Sequence, residues 1–124
     1  MSVPAELKYT EQHEWLRIDG DLATVGITRH AADALGDVVY LDLPDVGAQV
    51  VKGEACGEVE STKSVSDLFS PADATVVEVN AEALADPGLV NTDPYGAGWL
   101  LRLRVQATLD LLDADAYARL LADD

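Results

Sequence analysis

The sequence predicts a mainly β fold, a sandwich or flattened barrel of short strands with small helices at its margins. Many short segments are rich in β-branched and aromatic residues, as in VVYLDL at 38–43. Turn residues separate these segments, for example DGD at 19–21 and PDVG at 44–47. Seven or more strands of this kind, with only short helical patterns between them, indicate an all-β architecture.

The N-terminal part predicts a hairpin followed by a capped helix. After an irregular start, HEWLRI at 13–18 and LATVGI at 22–27 are strands on either side of the DGD turn. Thr28 is a good N-cap for RHAADAL at 29–35, and Gly36 can end that helix.

Short strands continue through the rest of the chain. In the last of them Arg102 and Arg104 alternate with apolar residues, which is the period of a strand with one wet face. SPADA at 70–74 is expected to be a turn or loop. The further predicted strands are 38–43, 48–51, 55–60, 65–69, 75–79 and 99–105.

Two helices are predicted in the second half of the chain. Asn80 can cap a short helix at 81–86, and the turn-rich NTDPYGAG at 91–98 is expected to be a loop. Asp113 can cap a C-terminal helix at about 113–122, whose apolar face would pack on the sheets.

Length and composition fit one globular domain covering residues 1–124. The chain is 48% apolar, and a chain of this size can bury roughly two-thirds of its unfolded surface. Its longest apolar runs are only a few residues, far below the roughly 20 needed to cross a bilayer. No membrane span is therefore expected.

The chain is strongly acidic, with a formal net charge of −15. Such a surface repels phosphate backbones, which argues against nucleic-acid binding. The charge serves either solubility or steering toward basic partner surfaces, and the sequence does not separate the two. A single cysteine and an N-terminus without an apolar or Arg-rich leader predict a cytoplasmic protein.

The sequence contains no recognisable catalytic or metal-binding constellation. His13 and His30 lack an H-E-x-x-H pattern, and Cys56 lies in a strand pattern where a small buried residue is expected. The carboxylates are so abundant that no chosen pair is informative. A small acidic β-domain of this kind is expected to be a binding or carrier module rather than an enzyme.

The stretch ESTKSVSDL predicts a hairpin that presents Lys63, one of three lysines in the chain. Strands at 55–60 and 65–69 flank the four residues 61–64, which places Thr62 and Lys63 at the tip. Small neighbours leave the ammonium group open on all sides, on a four-carbon stem. Turn geometry alone leaves two interpretations, a solvated loop lysine or a lysine presented for covalent modification.

The chain resembles the glycine cleavage system H protein family, the lipoyl carriers of that pathway, over about residues 7–121. The order and spacing of the shared motifs make the resemblance specific. They are HEW at 13–15, VGIT at 25–28, ALGDVVYLDLPDVG at 34–47, KGE at 52–54, GEVESTKSVSDL at 57–68, SP at 70–71, VVEVN at 76–80 and LVNTDPYGAGWL at 89–100. The resemblance implies a hybrid β-barrel sandwich, the lipoyl-domain-like fold, with a short N-terminal hairpin and a C-terminal helix.

The same resemblance implies the site residues. Lipoic acid would be joined by an amide bond to Lys63. Glu60, three residues before the lysine, would help the lipoate-attaching enzyme recognise the hairpin. Glu14 and Asp67 match family positions beside the cleft that receives the loaded arm.

The resemblance also implies a carrier role in glycine catabolism and one-carbon metabolism. The arm would take an aminomethyl group from glycine decarboxylase to aminomethyltransferase, and dihydrolipoyl dehydrogenase would reoxidise its dithiol. The chain is then expected to be a non-catalytic monomer that binds these three enzymes and the lipoate-attaching enzyme.

Two positions depart from the family pattern. Ala74 stands where the family usually has a glycine, eleven residues beyond the lysine, in what is expected to be a turn. Alanine does not share the freedom of glycine at positive φ, so this turn and its recognition by the lipoate-attaching enzyme are expected to differ. Ala34 stands where some members have a histidine near the cleft.

Three rival functions remain open at this point. An H-like lipoyl carrier of another pathway would share the fold and the lysine. A biotin carrier usually has methionine on both sides of its lysine, where this chain has Thr62 and Ser64. An unmodified acidic binding module would carry no group on Lys63 at all.

Overall fold

The computed structural model of the chain describes residues 4–105 and 111–122. Within those ranges there are nine strands: β1 Lys8–Tyr9, β2 Glu14–Asp19, β3 Leu22–Ile27, β4 Val38–Asp42, β5 Gln49–Val50, β6 Ala55–Ser61, β7 Val65–Phe69, β8 Ala74–Val79 and β9 Leu101–Val105. The helices in the same ranges are α1 Arg29–Leu35, α2 Ala81–Ala85, α3 Leu89–Thr92 and α4 Ala114–Ala122. None of these described helices has the length and apolar character that a bilayer span requires.

The strands form two antiparallel sheets. Sheet A has the order β1-β2-β3-β9-β8-β5, and sheet B has the order β4-β6-β7. Strand β9 is central to sheet A, where Leu103 lies opposite Ala23 of β3 on one side and Val76 of β8 on the other. This arrangement confirms the mainly β fold class, a barrel sandwich with short helices and a C-terminal helix.

The main apolar core is built from the inward faces of both sheets. Val25 and Leu103 come from sheet A, and Leu41, Val59 and Leu68 come from sheet B. Each of these side chains is at most 3% exposed. Burial of this kind contributes about 25 cal/mol per Å² of apolar surface, so the contact between the sheets stabilises the fold.

A second apolar cluster fixes the C-terminal helix. Tyr117 of α4 is fully buried together with Leu7, Tyr9 and Trp15. The rings of Tyr9 and Tyr117 are stacked with their centroids 4.7 Å apart. The predicted N-cap is present, because the Ala116 N–H donates to Asp113 Oδ1 at 2.8 Å.

The predicted first hairpin and the capped helix after it both form. Strands β2 and β3 pair as a hairpin from Glu14 opposite Ile27 to Asp19 opposite Leu22. Thr28 caps α1, since its hydroxyl oxygen accepts the Ala31 N–H at 3.2 Å. Gly36 ends the helix at φ 81°.

Three local predictions are wrong. The start of the chain is not irregular throughout, because β1 pairs with β2. The segment expected as a loop from residue 91 is helical up to Thr92, and α3 begins after Gly88 without a side-chain cap. Ala74 is not in a turn, because β8 begins at that residue.

Candidate functional site

The hairpin that carries Lys63 is formed by β6 and β7, as predicted. The Ser61 N–H donates to the Ser64 carbonyl oxygen at 2.8 Å and closes the tip. The Ser61 hydroxyl oxygen accepts the backbone N–H groups of Lys63 and Ser64 at 3.2 and 3.1 Å. Ser61 is itself buried, so a fixed hydroxyl group holds the backbone of the tip while Thr62 and Lys63 remain exposed.

The Lys63 side chain is not open on all sides, which corrects the expectation from its small neighbours. A Cβ atom placed on Gly36 would lie 3.3 Å from Lys63 Cε and 3.8 Å from Nζ. Beside it, the Thr62 N–H donates to the Asp37 carbonyl oxygen at 3.1 Å. The tip therefore rests against the segment that follows α1.

Glu60 lies on β6, close to the tip, with its side chain exposed. Its cross-strand neighbours are Tyr40 of β4 and Val65 of β7. These neighbours are 58% and 53% exposed, so Glu60 belongs to a row of exposed side chains across sheet B. Glu60 is three residues before Lys63 in the sequence.

A cleft of about 300 Å³ opens beside this hairpin. Its walls include Glu14 at the start of β2, His30 and Ala34 on α1, and Ser66 and Asp67 on β7. Ser66 is three residues from Lys63, about 10 Å along an extended strand. The fold thus brings Glu14 and Asp67, which are 53 positions apart in the sequence, to one cleft near the lysine.

Glu14 is a buried acid that joins the two sheets. Its side chain is 2% exposed, and Oε2 accepts the Phe69 N–H of β7 at 2.8 Å. The Thr10 hydroxyl donates to Oε1 at 3.2 Å. Burial raises the pKa of the Glu14 carboxyl to about 7, against the two hydrogen bonds, which lower it.

Asp67 is an exposed residue at the rim of the cleft. It lies opposite Glu58 of β6, which in turn lies opposite Asp42 of β4. All three carboxylates are exposed. Asp67 therefore adds negative charge at the cleft mouth, in a more hydrated setting than Glu14.

The structure joins His13, His30 and Tyr117, which the sequence left unrelated. The two imidazole rings are 4.7 Å apart between centroids, and both residues line the cleft. The His13 Nδ1 and the Tyr117 hydroxyl are 2.8 Å apart, and that hydroxyl is also 2.8 Å from the Thr28 hydroxyl. His13 has φ 68°, in the left-handed region. Tyr117 is 104 positions away in the sequence, so no local pattern could have revealed the link.

Ala74 has an ordinary strand environment. It is 1% exposed and pairs with Val50 of β5 and Val105 of β9. His13 is the only non-glycine residue at positive φ in the described part of the chain. The backbone at Ala74 therefore needs no glycine, and the expected turn is not found at this departure from the family pattern.

Cys56 is half-buried on β6. Burial, followed by the negative charge of Glu14, raises the pKa of the Cys56 thiol to about 11. The thiol is therefore protonated near neutral pH and is a poor nucleophile. In residues 4–105 and 111–122, no group of three or more His, Cys, Asp or Glu side chains is placed to hold a metal ion.

Comparisons with known proteins agree on one family. The Glycine cleavage H-protein family matches residues 7–124. The chain is 62% identical over 120 residues to the glycine cleavage system H protein of Beutenbergia cavernae, covering 97% of each chain. It is 59% identical over 122 residues to the same protein of Mycolicibacterium smegmatis, covering 93% of each. The crystal structure of a glycine cleavage system H protein from Mycobacterium marinum superimposes with a TM-score of 0.92 at 49% identity, covering 97% of this chain and 99% of that one.

Proposed function

We propose that Lys63 bears the lipoyl group, because the chain belongs to the glycine cleavage H-protein family. The chain is therefore a lipoyl carrier component of the glycine cleavage system and not an enzyme by itself. We further propose that Glu60 marks the hairpin for the lipoate-attaching enzyme. The observation that carries this proposal is the exposed Lys63 on a hydrogen-bonded hairpin tip next to a cleft. A modifying enzyme can approach such a tip from outside, with Glu60 accessible on the adjoining strand.

The exposed Lys63 on its hydrogen-bonded tip and the neighbouring cleft of about 300 Å³ fit a lipoyl group. The attached group would supply a disulfide that opens to take up the aminomethyl group at glycine decarboxylase, would be left as a dithiol after aminomethyltransferase, and would be reoxidised by dihydrolipoyl dehydrogenase. Lys63 would supply the tether, which replaces free diffusion by a local concentration at whichever partner has docked. The cleft would exclude water from the carried group.

Glu14 and Asp67 would hold the charge of a cationic amine in this cleft. Glu14 is desolvated, and a nearby cation favours the ionised form of a buried carboxyl group. Asp67 adds a second carboxylate at the rim. The two residues together would therefore retain an aminomethyl group more strongly than a neutral cleft would.

Mass spectrometry of the protein made with lipoate tests the attachment site. We expect a lipoyl adduct on the peptide that contains Lys63, and its loss in Lys63→Arg, which keeps the charge. Lys52→Arg is the matched control and should keep the adduct. An unmodified Lys63 in the presence of a competent lipoate-attaching enzyme would refute the proposal.

Reconstitution with glycine decarboxylase tests the pathway and the cleft. The lipoylated protein should support glycine-dependent exchange of CO₂, which an H-like carrier of another pathway would not. Glu14→Gln and Asp67→Asn should each speed the loss of the carried aminomethyl group. Unchanged lifetimes in both variants would remove these two residues from the proposed role.

A further inference from the structure

Gly36 leaves an open strip of backbone at the end of α1, and the Lys63 stem lies over it. Gly36 has φ 81° and ψ −155°, a region that only glycine populates readily. A Cβ atom at this position would stand 3.3 Å from Lys63 Cε, closer than ordinary van der Waals contact. The missing side chain therefore leaves the space in which the lysine stem runs.

The side chain of Asn91, on α3, forms hydrogen bonds with the backbone of this segment. Its Nδ2 donates to the Gly36 carbonyl oxygen at 2.7 Å, and its Oδ1 accepts the Val38 N–H at 2.8 Å. Between these two bonds, the Asp37 carbonyl oxygen accepts the Thr62 N–H of the hairpin tip. Residues 36–38, called the guide segment below, are thus hydrogen-bonded to α3 on one side and to the tip on the other.

The guide segment directly follows the part of α1 that lines the cleft. Ala34 and Leu35, in the last turn of α1, line the cleft immediately before Gly36. Ser66 lines it from the strand that follows the tip. A stem that crosses Gly36 therefore runs along the end of the same helix that forms one wall of the cleft.

We infer that the guide segment directs the arm attached to Lys63 into the cleft, with Gly36 as its bare surface and Asn91 as the positioning residue that holds it. A lysine on an isolated loop tip samples many rotamers. Contact with a fixed backbone restricts those rotamers and favours one direction of exit. This inference rests on the proposal that Lys63 bears the lipoyl group.

Nuclear magnetic resonance of isotope-labelled protein tests the contact first in the unmodified chain. We expect nuclear Overhauser effects between the Lys63 Hε protons and the Gly36 Hα protons. In the lipoylated chain, we expect the methyl signals of Ala31 and Ala34, which line the cleft, to shift on modification. A missing contact in the unmodified chain, or unshifted methyl signals in the lipoylated chain, would overturn the inference.

Gly36→Ala and Gly53→Ala form the decisive pair of variants. Both place alanine at a strongly positive φ, 81° and 82°, but a Cβ at Gly53 meets nothing within 4 Å. The modification shifts at Ala31 and Ala34 should fall at least twofold in Gly36→Ala and stay unchanged in Gly53→Ala. Equal behaviour of the two variants would overturn the inference.

Asn91→Ala keeps the test valid if Gly36→Ala does not fold. It leaves Gly36 in place and removes both hydrogen bonds to the guide segment, so the same shifts should shrink. Thr92→Ala, in the same helix, is the matched control and should keep the methyl shifts. The Thr92 hydroxyl donates to the carbonyl oxygens of Gly88 and Leu89, away from the guide segment. A missing lipoyl adduct would refute the proposed function and with it the arm on which the inference rests, whereas an adduct on Lys63 without the methyl shifts would overturn the inference alone.

Discussion

At the scale of single residues, Glu14 gives the clearest prediction, because its pKa in the folded chain is raised from 4.5 to about 7. The folded state then binds more protons than the unfolded state between these two values. Its contribution to the free energy of unfolding is therefore present below about pH 4.5, falls as the pH rises to about 7, and is constant above that. The change is on the order of 3 kcal/mol.

Glu14→Gln should remove this dependence. The glutamine side-chain oxygen can still accept the Phe69 N–H without a buried charge, so the variant should be more stable than the parent at pH 8 and gain little at pH 4.5. Urea unfolding at both pH values measures the difference. A stability difference between Glu14→Gln and the parent that is the same at both pH values would contradict the assignment.

Lys63 and Glu14 also show what could be predicted about the site from the sequence. The exposed position of Lys63 follows from two strand patterns separated by four turn residues, because the interactions of a hairpin are local. The burial of Glu14 does not follow, because its main hydrogen-bond partner, Phe69, is 55 residues away. The contact of Lys63 with Gly36 was missed for the same reason.

At the scale of elements, Asn80 joins α2 to the approach of β9. Its Oδ1 caps the helix by accepting the Glu82 N–H at 3.1 Å. Its Nδ2 donates to the carbonyl oxygens of Ala97 and Trp99 at 2.8 and 2.6 Å. Asn80 is 4% exposed, so water cannot easily replace these bonds.

Asn80→Ala should lower the free energy of unfolding by about 2–4 kcal/mol. A lost cap accounts for about 1 kcal/mol, and unpaired buried carbonyl groups account for about 1–3 kcal/mol more. Asp113→Ala at the exposed cap of α4 is the control and should lose only the cap contribution. Equal losses in the two variants, measured by chemical denaturation, would show that the Asn80 amide donors contribute nothing.

The elements that were predicted well have strong end signals. Thr28 and Gly36 mark both ends of α1, and the DGD turn fixes the register of β2 and β3. In contrast, β1 has only two residues and depends on pairing with β2. Helix α3 has only four residues and no side-chain cap, so neither periodicity nor capping could have distinguished it from a loop.

At the scale of the whole molecule, the net charge of −15 should make stability depend on salt. Like charges lie directly opposite one another in sheet B, where Glu58 stands between Asp42 and Asp67, and such pairs are destabilising. Raising the ionic strength from about 0.01 to 0.15 M shortens the screening length from about 30 to 8 Å. The melting temperature should therefore rise by a few degrees.

Glu58→Gln should raise the melting temperature at low salt and reduce its increase with salt. Glu11→Gln, at an exposed residue of the Thr10–His13 turn, is the control for the loss of one charge at a distance from sheet B. Differential scanning calorimetry over a salt series measures both variants. An identical salt response in the two would mean that the acidic row across sheet B has no special effect.

The fold class could be predicted from the sequence because alternating strands and turn residues are local features. The strand order could not, because β9 enters sheet A between β3 and β8 and its pairing residues come from distant parts of the chain. The contact of α4 with the cleft region likewise depends on Tyr117 meeting His13 and Thr28.

The central place of β9 has a consequence for synthesis on the ribosome. All strands of sheet B, including the two that form the Lys63 hairpin, are outside the exit tunnel once residue 69 has emerged. Sheet A stays in two parts, β1-β2-β3 and β8-β5, until β9 emerges at residues 101–105. The nascent chain therefore completes the strands that present its lysine before it can close the larger sheet, and Tyr117 of α4, which fixes the cleft residue His13, arrives later still.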